Sequence, residues 1–254
     1  MGGATFTVAI MTVLGAHEMG HKLVANRRGM EATPPYFIPG PPPIGDFLGI
    51  GTFGAVIMQK SLPPNKDALF DIGASGPLVG FVLAVVAAVI SAPLSHFELA
   101  SPNNTFLPIP LLFLIVWRFF QPSGGEGLVP VGDQVVAVRL HPIAFAAWVG
   151  MVVTMLNLLP AAMLDGGHVA RALVTEKARL VLTGLSILVL VVSGFFPMAL
   201  FVLFLSMYRH PGPLDDVSSL SRSRKFLAVL LIVVFVLTSY VYYLFFYLLE
   251  FLGV

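Results

Sequence analysis

Two histidines four residues apart, His17 and His21, stand in the pentapeptide HEMGH with Glu18 between them. A helix turns about 100° per residue, so positions i and i+4 point from one face and both imidazoles can reach one point, with Glu18 beside them. That spacing suits a single divalent metal. Zinc accepts imidazole nitrogen at about 2.0–2.1 Å, two such histidines supply half of a tetrahedral shell, and the neighbouring carboxylate can take a proton from water at the metal. Catalytic zinc uses three protein ligands and an open position, so the motif requires a third ligand elsewhere. The chain has no Cys. Histidine and carboxylate are therefore the available ligands, and thiolate catalysis and a disulfide framework are excluded.

The pentapeptide lies in a stretch, 4–25, that otherwise reads as a membrane helix. A lone histidine is more often a satisfied core residue than a ligand. Ionisable groups near a bilayer centre, however, cost about 2.5–3.5 kcal/mol each on insertion scales, so Glu18 between two histidines needs a reason to be there. Thirteen residues, Ala4 to Ala16, precede His17; at 1.5 Å per residue they span about 20 Å, which puts the metal past the midplane, on the side of Lys22, Arg27 and Arg28. Apolar residues make up 57% of the 254-residue chain and charged residues only 11%. Soluble domains carry about 25% charge, so the composition indicates an integral membrane protein. The net charge of +1 offers no basic stripe for phosphates and argues against a nucleic-acid partner. The N-terminal run carries the chemistry and is followed by no small-residue cleavage site, so a cleavable signal peptide is not expected.

The elements that must hold the site follow from hydropathy. The sequence predicts an all-α polytopic membrane protein of about six transmembrane helices, at 4–25, 70–92, 142–164, 178–193, 195–208 and 226–249, with a short Pro/Gly-rich strand or hairpin near the membrane. Asp67 or Asp71 is placed to cap the second helix. Residues 49–58, GIGTFGAVIM, read as an edge strand able to pair with an extended peptide, which makes Gly51, Thr52, Phe53 and Gly54 candidate substrate-binding residues; a folded surface loop is the plainer reading. The apolar piece 107–120 is too short to cross and suits an interfacial segment. His96 and His141 read as surface histidines. With this map, twelve of the fourteen basic residues fall on one side and only Arg118 and Arg139 on the other, a positive-inside bias that makes the ends of the first and third spans cytoplasmic. HEMGH and the LDGG at Leu164 to Gly167 lie at those ends.

Asp165 is thus the best candidate for the third ligand, at the same depth as His21 and followed by two glycines that permit a close turn; a helix cap or a solvated loop acid are the alternatives. HEMGH on one helix, GASGP (Gly73 to Pro77) on the next, and NLLP followed by LDGG on a third resemble the site-2 protease family of intramembrane zinc metalloproteases, in the minimal form found in archaea, and are also similar to chloroplast members. The resemblance implies one zinc per chain on His17, His21 and Asp165, Glu18 as the catalytic base, and Asn157 and Pro160 in a segment contacting substrate. It also implies a single membrane protease domain over 1–254, with core motifs at 4–175 and further helices at 178–249. The loop 93–141 is too short and apolar for a PDZ domain, and no CBS domain is expected after the last span. Many relatives carry a helix before the HExxH helix, which this sequence does not show.

The expected reaction is hydrolysis of a peptide bond in or near a transmembrane segment of another protein, in the cell membrane, from the cytoplasmic side. A helical substrate must unwind locally to expose its carbonyls. The competing reading is a zinc or proton-coupled transporter using His17, His21 and Asp165 as a transit site, which predicts repeated halves and leaves Glu18 without a role; a catalytically inactive scaffold is a third. Substrate identity and oligomeric state are not legible in the sequence.

Overall fold

A computed structural model describes residues 2–39, 52–58, 61–101, 106–130, 132–208 and 212–240, without the side chains of 38–39 and 52–56. These residues form eight helices and four short strands. The chain divides into two units, one of Met1–Val13, Gly80–Met155 and Val233–Val254, the other of Leu14–Val79 and Leu156–Ile232.

The first unit packs the second half of α2 (Lys66–Ser91) on α3 (Leu111–Phe119) and α4 (Pro142–Asn157). Its core pairs Ala84, Ala88 and Ala92 with Leu112, Phe113 and Val116 and with Ala144, Ala147 and Met151. Small residues on facing helices let backbones approach closely, which is how helices associate where the hydrophobic effect between them is weak. A Cβ on Gly150 would come within 2.8 Å of Val13 Cγ1, so this glycine is needed for the approach of α4 to α1 (Gly2–Arg27). Strands β3 (His96–Ala100) and β4 (Val135–Arg139) pair antiparallel, with Arg139 bonded to Glu98 at 2.7 Å. This pair lies in the 93–141 stretch, which the sequence presents only as a loop. His96 is exposed as expected, whereas His141 is half-buried and its Nδ1 accepts from the Ile143 amide at the start of α4.

The second unit holds HEMGH. α1 closes with the Gly29 amide bonded to Asn26 and the Met30 amide to Ala25, and Gly29 takes φ +75°. This is the glycine-terminated cap in which a left-handed residue satisfies the last carbonyls. It seats Met30 with Ala25 against Ile72 of α2. Asn65 caps α2, its Oδ1 accepting from the Ala68 amide at 2.9 Å. Neither Asp67 nor Asp71 does so; they hold arginines instead. Strands β1 (Tyr36–Pro39) and β2 (Thr52–Val56) pair antiparallel with an irregularity between Phe37 and Pro39; β2 falls in the stretch 49–58 expected as a strand or hairpin, and its partner β1 is not among the sequence expectations.

The third expected span, 142–164, differs in detail. α4 ends at Asn157, and a tight turn leads into α5, Asp165–Leu173. In that turn Ala162 adopts φ 46°, and its amide bonds Thr183 Oγ1 of α6 (Glu176–Val192). α7 (Phe196–Ser206) and α8 (Arg222–Thr238) follow. By length and apolarity α2 alone among the described helices qualifies as a membrane-crossing segment, and Pro142–Asn157 and Phe196–Ser206 are shorter apolar helices. The expected last span at 226–249 falls partly outside the described residues, including its aromatic run from Tyr242 to Tyr247.

Candidate metal centre

The site starts from one turn of α1. His17 and His21 are buried, 4% and 6% exposed, and their Nε2 atoms lie 3.2 Å apart. Asp165, first residue of α5, completes a triangle, with Oδ2 3.2 Å from His17 Nε2 and Oδ1 3.3 Å from His21 Nε2. The three ligand atoms all fall within 4.8 Å of one another. Ligands about 2.0 Å from a common centre at tetrahedral angles stand about 3.3 Å apart; each pairwise spacing is close to this, with the Asp165 carboxylate turning one oxygen to each histidine. The tautomer agrees. His21 Nδ1 faces the Ile72 carbonyl at 2.8 Å, and a carbonyl only accepts, so Nδ1 carries the proton and a neutral ring turns its Nε2 lone pair to the centre. Charge also balances: Asp165 and the half-buried Glu18 bring two carboxylates towards neutral imidazoles, and a divalent cation compensates both.

Three glycines decide whether these groups can meet. A Cβ on Gly76 would lie 2.1 Å from His21 Nε2, inside the ring's own space. On Gly73 it would come within 2.6 Å of the Asp165 carbonyl and 2.9 Å of His168 Cβ, and on Gly20 within 2.8 Å of the Ser75 carbonyl. The small residues of GASGP therefore let α1, α2 and α5 converge on the ligands. Gly166 and Gly167 act differently from expectation. Both are helical, and a Cβ on either would strike the carbonyls of the preceding turn, at 2.2 Å from Leu158 and 2.5 Å from Ala162 respectively. They allow the first turn of α5 to sit on that turn and so fix Asp165.

Glu18 lies on α1 between the two histidines, within electrostatic reach of both and of Asp165. His168, one turn beyond Asp165 on α5, interacts electrostatically with Asp165 and His21. Burial pushes its ring below the usual histidine value, with Asp165 opposing the shift. The i, i+3 spacing from Asp165 was the signal that could have found it. Asn157 and Pro160 are half-buried at the end of α4 and in the turn before Asp165. Thr52, Phe53 and Gly54 lie in β2, paired with β1, and Gly51 lies outside the described residues.

α5 is held from its far end. Arg171 makes a two-pronged ion pair with Asp216, at 3.1 and 2.6 Å. The Arg171 guanidinium beside Asp216 holds that carboxyl below the usual carboxylate range. Lys66, at the start of α2, reaches the same carboxylate at 3.6 Å.

Comparison with known proteins agrees with this chemistry. The probable zinc metalloprotease EGY2, chloroplastic, of Arabidopsis thaliana is 31% identical over 206 residues, covering 80% of this chain and 34% of that protein. The probable zinc metalloprotease EGY1, chloroplastic, of the same plant is 30% identical over 241 residues, covering 90% and 41%. Its namesake in Oryza sativa subsp. japonica is 31% identical over 233 residues, covering 87% and 38%. This chain spans about a third to two fifths of the length of these relatives. No solved structure matches it. The model of peptidase family M50 matches residues 5–200, a range that contains HEMGH, the small-residue stretch of α2 and Asp165, and the chain belongs to that family.

Proposed function

We propose that this chain is a zinc endopeptidase of the membrane, acting on a peptide bond in or near a transmembrane segment of another protein. The observation that carries the reading is the convergence of His17, His21 and Asp165, the last 148 residues from His17 in the chain, into one ligand-sized triangle beside Glu18. Zinc held there supplies a Lewis acid that acidifies water and polarises a carbonyl. Glu18 accepts the proton of the attacking water on its carboxylate as the water oxygen bonds to the scissile carbon. It then delivers that proton to the nitrogen as the C–N bond breaks, which leaves a carboxylic acid and an amine. The Ile72 carbonyl keeps His21 in the ligating tautomer, and Asn157, Pro160 and residues 51–54 are assigned to substrate contact.

Membrane residence is supported by the 57% apolar composition and by outward apolar faces on α6 and α7, among them Leu180, Leu185, Leu188, Leu200 and Phe204. The one-sided distribution of Lys and Arg supports six spans in a single domain and a site opening towards the cytoplasm. The decisive experiment compares wild type with Glu18→Gln in detergent. The variant is expected to keep its zinc and to lose cleavage of a membrane-protein reporter by at least about 100-fold, the lower range for a positioned acid-base group. Undiminished cleavage by Glu18→Gln would refute the mechanism.

A further inference from the structure

Beside the metal centre, where α1 ends, the second unit carries an open cavity of about 390 Å³ that the chemistry above does not use. Its polar rim is Arg27, Arg28, Asp71 and Ser75, and its walls include Leu78 of α2 and Leu227 of α8. The rim carries excess positive charge. Arg28 bonds Asp71, and Arg224 takes the same carboxylate at 3.0 and 2.9 Å and reaches Asp67 at 3.2 Å, so two arginines balance two aspartates and Arg27 is the cation in excess. Arg27 has no carboxylate partner among the described residues. Leu23 and Val79, sequence neighbours of the lining residues Val24 and Leu78, are exposed, as is Leu230 one helical turn beyond Leu227.

We propose that this cavity binds the headgroup of an anionic phospholipid, its phosphodiester against Arg27 and the rim of the paired Arg28, and its first acyl carbons along Leu78 and Leu227. The volume lies in the range of ligand sites. A basic pocket between helices, at the end where Lys22, Arg222, Arg224 and Lys225 also gather, meets an anionic leaflet in the position where such headgroups are found. A free phosphate would gain nothing from the apolar wall, and a water-soluble acidic peptide nothing from the neighbouring exposed leucines. The site also touches the metal centre. Ser75 Oγ donates at 2.9 Å to the Ile72 carbonyl that receives His21 Nδ1, so the polar rim of the cavity and His21 share one acceptor.

The inference rests on the membrane reading of the previous section, and one measurement separates the two. Resistance of the wild type to alkaline extraction from membranes tests residence alone, and extraction into the soluble fraction would refute that reading. The lipid site is tested on the detergent-purified full chain by native mass spectrometry with phosphatidylglycerol and phosphatidylcholine. Wild type should retain phosphatidylglycerol preferentially. Arg27→Gln, at an exposed position, should bind it about fivefold more weakly with phosphatidylcholine unchanged, and Leu78→Trp, which fills the cavity, should lose both. Equal retention of phosphatidylglycerol by wild type and Arg27→Gln overturns the proposal. So does its displacement by inorganic phosphate or by an acidic peptide at concentrations below the lipid's own half-saturation.

Discussion

Gly76 is the residue on which the centre is most sensitive. Its missing Cβ leaves the space that His21 Nε2 occupies at 2.1 Å. A helix interior would otherwise favour alanine by about 1 kcal/mol, so Gly76→Ala should preserve or raise helix content while driving the His21 ring off the centre. Zinc measured by mass spectrometry on purified protein should fall by at least about 100-fold in affinity, beyond the 10–100-fold cost of disturbing an outer partner. Wild-type zinc content in this variant would show that His21 ligates from another rotamer. Asp165→Ala should likewise lose the metal, because two histidines alone make half a shell. HEMGH was legible in the sequence because helix period is local: two residues four apart share a face whatever the tertiary fold. Asp165 needed the additional constraint of equal membrane depth. The role of Gly76, and His168 as a neighbour of the ligands, depend on how α1, α2 and α5 pack, and no local pattern encodes that.

At the scale of elements, the turn between α4 and α5 stores strain to place Asp165. Ala162 holds φ 46°, a left-handed conformation that costs a non-glycine residue about 1–2 kcal/mol. Ala162→Gly removes that cost but adds unfolded-state entropy, so its stability in detergent should lie within about 1 kcal/mol of wild type. Ala162→Val should lose about 2 kcal/mol or more, because a β-branched side chain tolerates that backbone worst. Thermal unfolding of the pair checks the ordering, and equal midpoints would remove the strain argument. The opposite end of α5 responds to acid. The Asp216 carboxyl is lowered by Arg171, so the pair's contribution is present above the unfolded carboxylate value and is lost as pH falls through the lower folded value. Asp216→Asn should therefore flatten the stability profile below about pH 4, by no more than about 1 kcal/mol for so exposed a pair. The long apolar helices were readable from hydropathy, whereas the short polar helix α5 and the boundaries were not. Asn65 rather than Asp67 caps α2, and α5 begins at Asp165, because capping depends on which polar side chain turns back to the amides.

For the whole molecule, the proposed six-span map is what topology tests, and charge and helix length bear on it differently. Charge placement is a global property that survives errors in single boundaries: on the proposed six-span map twelve of fourteen basic residues sort to one side, although α4 is seven residues shorter than the span assigned to it. Helix length is local and divides less cleanly, with α2 alone long and apolar enough to qualify by itself. The nine-residue α3 agrees with a segment that does not cross. If it does not, the loop containing Glu126 faces away from the cytoplasm and the loop containing Ser219 faces into it. The absence of native Cys makes this directly measurable, since Glu126→Cys and Ser219→Cys, both at exposed positions, each introduce a single thiol. In intact spheroplasts a membrane-impermeant maleimide should label Glu126→Cys, and Ser219→Cys only after permeabilisation. Labelling of both from outside would add or remove a crossing between them. The cytoplasmic opening of the metal centre would then fall with the map, while the ligand triangle, which owes nothing to topology, would stand.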